Sequence, residues 1–144
     1  MIRIALVGDI GSGKTFLSKL FGYPVFNADE SVAKIYFKDK KIFLKLRDKL
    51  PNFFNNFPIK KKELINAIIK NKNNIKKISA IVHPEVRKDL QRFIKKNNRR
   101  RVVILDIPLF LENKLNKKKD IIIFVQSSYK EALKVKRILK NKKI

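Results

Sequence analysis

Three short, almost unbroken apolar runs, Ile2 to Val7, Val102 to Leu105 and Ile121 to Val125, are set among longer stretches where apolar residues recur every third or fourth position. Runs this short and this rich in β-branched residues predict parallel strands covered on both faces, whereas the longer spacing predicts helices. Tyr23 to Asn27 reads as a fourth, shorter strand. Helical patterns cover Lys14 to Phe21, about Asp29 to Leu50, and Lys61 to about Ile81 with a break near Asn73. Pro84 suits the first turn of a further helix, placing Val86, Leu90, Phe93 and Ile94 on one face and ending near Asn97. Ser128 and Glu131 have the form of a capping box, opening a last helix with Ala132, Leu133, Ile138 and Leu139 on or near its apolar side. Strands alternating with helices predict an α/β doubly wound parallel sheet.

The stretch between Asn27 and Val102 is too long for a simple crossover, which predicts an inserted helical subdomain. A single domain of 144 residues follows, with a core at 1–28 and 99–127, a helical insert at about 29–98 and a partial lid helix at about 128–144. Pro51 to Pro58 marks a break within the insert, where Phe53, Phe54 and Phe57 suit ordinary packing better than a pocket lining. No internal repeat is visible. The chain has no apolar run long enough to span a bilayer and starts directly in a strand, so a cytoplasmic protein without a membrane partner is expected. Without cysteine neither disulfides nor a thiolate metal site can form, and the lone His83 cannot build a zinc site.

Charge adds a second theme. Lys and Arg number 36 against 12 acidic residues, a formal charge of +24, which invites a nucleic-acid reading through phosphate neutralisation. The basic residues are mostly lysines scattered among Asn and Ile, as in Lys70-Asn71-Lys72-Asn73-Asn74, which favours a solvated basic surface over a specific nucleic-acid site. Such a surface still concentrates polyanionic substrates and gives weak, salt-sensitive adhesion to RNA.

The sharpest chemistry lies at Gly8-Asp9-Ile10-Gly11-Ser12-Gly13-Lys14-Thr15, a complete G-x-x-x-x-G-K-[ST] loop between a strand and a helix. Gly8, Gly11 and Gly13 permit backbone dihedrals and a close phosphate approach that a Cβ would obstruct. Lys14 can reach the β- and γ-phosphates and the Thr15 hydroxyl can ligate Mg²⁺. A chance glycine turn is the bland alternative, but every fixed position matches in the required strand and helix context. The loop specifies a nucleoside triphosphate without specifying its use.

Asp29, just past the short strand, is expected at the carboxyl edge of the sheet, where open α/β sheets bind ligands. There it could orient an attacking hydroxyl and accept its proton, or serve as an N-cap, and the two roles are compatible. Asp106 ends an apolar strand in the manner of a Walker B carboxylate, able to hold Mg²⁺ beside Thr15; a turn-capping Asp is the plainer reading. Arg87, Lys136, Arg137 and Lys140 could each clamp phosphates, but in so basic a chain no single one stands out.

Gly8 to Thr15, Asn27-Ala28-Asp29, His83-Pro84 and Asp106-Ile107-Pro108-Leu109-Phe110-Leu111-Glu112 together resemble the dephospho-coenzyme A kinases in order and spacing. That resemblance implies a P-loop kinase fold, a three-layer α/β/α arrangement with a parallel sheet, a helical substrate-binding subdomain and a mobile lid. It implies transfer of the γ-phosphoryl of ATP, with Mg²⁺, to the ribose 3′-hydroxyl of dephospho-coenzyme A, the final step of coenzyme A biosynthesis. Asp29 then stands where the family has its proposed catalytic base, and Gly8 and Gly11 to Phe16, with Ser12 and Lys14 among them, form the nucleotide loop. Arg137 falls in the lid, and the helices from about Val32 to Asn97 hold the pantetheine-bearing substrate. His83 has a core, capping or substrate-contacting role.

The chain departs from the family pattern in three places. Asn27 stands where the family often has Asp, and Ala33 where it often has a basic residue, although Lys34 is adjacent. Family members usually continue through the rest of the lid, a further strand and a closing helix, so a shortened chain with an open sheet edge, and self-association through it, is expected. The alternatives are another small-molecule or nucleoside P-loop kinase, or an inactive P-loop remnant with non-specific RNA affinity.

Overall fold

Each apolar run becomes a strand of one sheet. The computed structural model describes residues 1–9, 11–108 and 114–126. In chain order the elements are β1 (Ile2–Val7), α1 (Lys14–Leu20), β2 (Val25–Asn27), α2 (Ala28–Lys38), α3 (Lys40–Lys49), α4 (Lys61–Lys70), α5 (Asn74–Lys96), β3 (Val102–Asp106) and β4 (Ile121–Phe124). The strands lie in the order β2-β3-β1-β4, and every pairing is parallel. Consecutive residues of β1 and β3 are buried, Ala5 with Leu6 and Val103 through Asp106, because both sides of these strands are covered. The fold class is therefore α/β with a parallel sheet, as the apolar pattern predicts. The helix expected from Ser128 lies outside the described residues.

Arg3 is the one charged residue in β1. Its guanidinium donates to the Asp120 carboxylate at 2.9 Å and to the Leu115 carbonyl at 3.0 Å, and the Lys117 amide donates to the same Asp120 oxygen at 2.7 Å. Both charged side chains are buried, so they are retained as a pair that fixes the turn leading into β4. β4, last in the strand order, pairs with β1 through Ile121 to Phe124, and Ile121, Ile122 and Phe124 are exposed, so the expected covering on both faces does not hold for this strand, which has a sheet neighbour on one side among the described residues.

The described chain divides into two compact units, residues 1–27 with those from 94 onward, and residues 28–93. The second unit is helical, and its core is built from Ile35, Ile42, Phe43, Leu46, Leu50, Phe54, Ile59, Ala67, Ile78 and Val82. Phe54 is fully buried, Phe53 packs against the same cluster and the Phe57 ring lies 5.7 Å from that of Phe43, so the three phenylalanines act in packing. Tyr36 is half-buried against the same core, and desolvation raises its phenol above the ordinary value.

Two helix boundaries differ from the sequence expectation. The single helix expected over 29–50 is two helices, because Asp39 leaves the helical conformation and its carboxylate accepts the Ile42 amide at 3.1 Å as the N-cap of α3. The helix expected to begin at Pro84 instead runs unbroken from Asn74, with Pro84 inside it. Ile78, Val82, Val86 and Leu90 form one continuous apolar stripe at four-residue spacing, and packing of that stripe outweighs the helix-breaking tendency of proline. The break near Asn73 does occur; the Asn71 side chain accepts the Asn73 amide at 2.9 Å and buried Asn74 donates to the Ala67 carbonyl at 2.8 Å.

Within this unit the first turns of α2 are tied to α5 by buried Ser31, whose hydroxyl donates to the Asp89 carboxylate at 2.6 Å, while Arg92 pairs with the other Asp89 oxygen. Ser31→Ala is expected to destabilise the protein by about 1.5–3 kcal/mol, the usual worth of a hydrogen bond to a charged acceptor. Urea unfolding measures this, and an unchanged midpoint would contradict the tie.

Candidate functional site

The parallel register assembles the site. Leu6 of β1 lies beside Asp106 of β3, and Asp106 lies beside Asn27 of β2, so three strands end at one level. The glycine loop begins at that level, immediately after β1. Gly8, Gly11 and Gly13 all have positive φ, at 147°, 82° and 93°. At Gly8 the constraint is also steric, because a Cβ there would stand 2.2 Å from the Val125 carbonyl oxygen. The Val125 amide in turn donates to the Val7 carbonyl at 2.7 Å, which holds the two chain segments together.

Gly13 caps α1 in the left-handed conformation, and no side chain caps the start of this helix. Fully buried Ser18 donates to the Thr15 carbonyl at 2.8 Å and, being small, allows α1 a close seat on the sheet. The Lys14 ammonium donates to the Gly8 and Asp9 carbonyls, each at 2.7 Å, and to the Ser12 hydroxyl at 3.4 Å. The loop thus wraps around its own lysine. Phe16 projects into solvent, 72% exposed.

Thr15 and Asp106 meet. The Thr15 hydroxyl donates to Asp106 Oδ2 at 2.7 Å, and the Asn27 side-chain amide donates to the same oxygen at 2.9 Å. Asp106 is only 4% exposed and is the last residue of β3, one position further into the strand than the apolar run alone implies. Its bonds to Thr15 and Asn27 serve the loop and the sheet rather than a turn. Among the described residues no cluster of three His, Cys, Asp or Glu side chains exists. A carboxylate beside a hydroxyl nevertheless forms a hard oxygen pair of the kind that suits Mg²⁺.

Asp29 is exposed in the first turn of α2, where a carboxylate is favoured by the helix dipole, and lies inside the helix rather than at its cap. His83 is exposed in the middle of α5, which removes both its core and its capping alternatives, and exposed Arg87 lies one turn further along. Leu109 to Glu112 and Arg137, with Lys136 and Lys140, fall outside the described residues. Asn27 was a departure from a pattern in the sequence; only the strand register reveals it as a hydrogen-bond partner of Asp106.

A parallel α/β sheet with a glycine loop after β1 and a hydroxyl–carboxylate pair at the ends of α1 and β3 defines a P-loop protein. The chain belongs to the dephospho-CoA kinase family, whose model matches residues 2–144. It is 32% identical over 129 residues to a dephospho-CoA kinase of Bartonella henselae, covering 86% of this chain and 66% of that protein. Identity to the corresponding protein of a Wolbachia from Brugia malayi is 35% over 127 residues, covering 85% and 65%. The chain therefore spans about two thirds of the length of these relatives. Among solved structures, a Thermus thermophilus protein superposes with a TM-score of 0.73 at 25% identity, over 99% of this chain and 73% of that one. The dephospho-CoA kinase of Campylobacter jejuni shares the fold, with a TM-score of 0.58 at 19% identity over 99% and 98% of the two chains.

Proposed function

We propose that this chain transfers the γ-phosphoryl group of ATP to the ribose 3′-hydroxyl of dephospho-coenzyme A. The observation that carries this reading is the family match over residues 2–144, which takes in the glycine loop, Asn27-Ala28-Asp29, His83-Pro84 and the Asp106 stretch together. In the transfer, a bond forms between the 3′-oxygen and the γ-phosphorus, the bond from that phosphorus to the β,γ-bridging oxygen breaks, and ADP departs. Little covalent chemistry falls to the protein; positioning and charge stabilisation do most of the work.

Lys14 and the backbone amides of Gly11 to Phe16 are the groups assigned to the ATP phosphates. Lys14 exchanges its loop carbonyls for phosphate oxygens when nucleotide binds, so its positive charge moves from neutral partners to anionic ones. Thr15 and Asp106 are the residues assigned to Mg²⁺, which supplies charge neutralisation on the β- and γ-phosphates when bound. Asp29 is assigned the proton of the 3′-hydroxyl, and its exposure in a first helical turn keeps its carboxylate open to an acceptor. His83 and Arg87, exposed one turn apart on α5, are assigned to the acceptor. Arg137 is assigned to the phosphates.

Incubating the purified chain with labelled ATP and a panel of acceptors, comprising dephospho-coenzyme A, nucleosides, nucleoside monophosphates and pantetheine, tests the choice of substrate. Label is expected in the dephospho-coenzyme A reaction, and preferential labelling of a nucleoside or nucleotide would replace this reading with another P-loop kinase activity.

A further inference from the structure

Asn27 and Asp106 are the last residues of neighbouring parallel strands, paired Cα to Cα, so their side chains emerge side by side on the same face. A buried carboxylate must be satisfied by donors. Among the described residues Asp106 receives two on a single oxygen: the Thr15 hydroxyl at 2.7 Å and the Asn27 amide at 2.9 Å. The hydroxyl can turn away, since it is the group that exchanges its partner when a cation arrives. The amide cannot be replaced in the same way, because it is held by strand pairing and offers only donors toward the carboxylate.

We propose that Asn27 is a positioning residue for divalent-cation binding: it fixes the orientation of the Asp106 carboxylate and restricts the site to one negative charge. An Asp at position 27 would set a second carboxylate within hydrogen-bond distance of the first, where like charges repel and a bound cation relieves the repulsion. Position 27 thus tunes how strongly Mg²⁺ assists nucleotide binding. Removing the amide leaves Asp106 free to rotate and weakens that assistance; adding a carboxylate strengthens it.

This inference rests on the assignment of Thr15 and Asp106 to Mg²⁺. The test measures affinity for a fluorescent ATP analogue with Mg²⁺ and with a chelator, and takes the ratio of the two. That ratio is insensitive to the fraction of folded protein, whereas a purely structural role for Asn27 would lower both affinities equally. Asn27→Ala is expected to reduce the ratio by about tenfold, the lower end for loss of a residue that orients a metal ligand. Asn27→Asp is expected to raise it above the wild-type value. A wild-type protein without Mg²⁺ enhancement, or one whose enhancement survives Asp106→Ala, would remove the underlying assignment and the inference with it. Enhancement that is lost in Asp106→Ala but unchanged in Asn27→Ala would overturn the inference alone.

Discussion

Asp29→Asn is expected to lower turnover by about 10²–10⁴-fold, the range that a positioned general base contributes, while ATP affinity stays within about twofold of wild type. The substitution keeps the size and shape of the side chain and removes its basicity. Because Asp29 is exposed in the first turn of α2, no buried partner is orphaned, and only its interaction with the helix dipole is lost, about 0.3–1 kcal/mol of stability. Steady-state kinetics with a thermal melt on the same sample separates the two effects. Turnover equal to wild type would remove Asp29 from the chemistry, and a large fall in melting temperature would give it a structural role instead.

Gly8→Ala is expected to abolish measurable nucleotide binding, whereas Gly13→Ala weakens it. At Gly8 two independent costs coincide: a φ of 147° that an L side chain rarely adopts, and a Cβ position 2.2 Å from the Val125 carbonyl oxygen. That oxygen belongs to the backbone, and the Val125 amide is bonded to Val7, so neither side of the clash can yield without disturbing the β1 to β4 pairing. At Gly13 a Cβ meets nothing within 4 Å, and only the φ of 93° is penalised, by about 1–3 kcal/mol. Strain of that size on the bound state corresponds to roughly fivefold to 150-fold weaker affinity. Titration of both variants with an ATP analogue measures the order; equal effects at the two positions would contradict the steric argument at Gly8.

The central strands were legible in the sequence because a strand buried on both faces has no alternation to be misread, and Ile2 to Val7 and Val102 to Leu105 appear as almost unbroken apolar runs. The glycine loop was legible because its chemistry needs fixed residue types at fixed spacing. Helix boundaries were less so. A single Asp39 side chain divides α2 from α3, and the stripe from Ile78 to Leu90 carries α5 through Pro84; both outcomes depend on packing that local propensity does not encode. The Arg3–Asp120 pair and the Asn27–Asp106 bond join residues far apart in the chain, and no spacing rule links them before the strands are aligned. The same holds for Thr15 and Asp106, whose shared role was expected from the motif but whose contact depends on the β1–β3 register.

The most direct measurement of the central claim is the position of the phosphate in the product formed from ATP and dephospho-coenzyme A. Purified chain, Mg²⁺ and γ-labelled ATP are expected to yield ADP and coenzyme A carrying the label on the ribose 3′-oxygen, identified by phosphorus NMR and mass spectrometry, with no product in the Asp29→Asn control above its reduced rate. ATP hydrolysis without transfer, or label at any other position, would contradict the account.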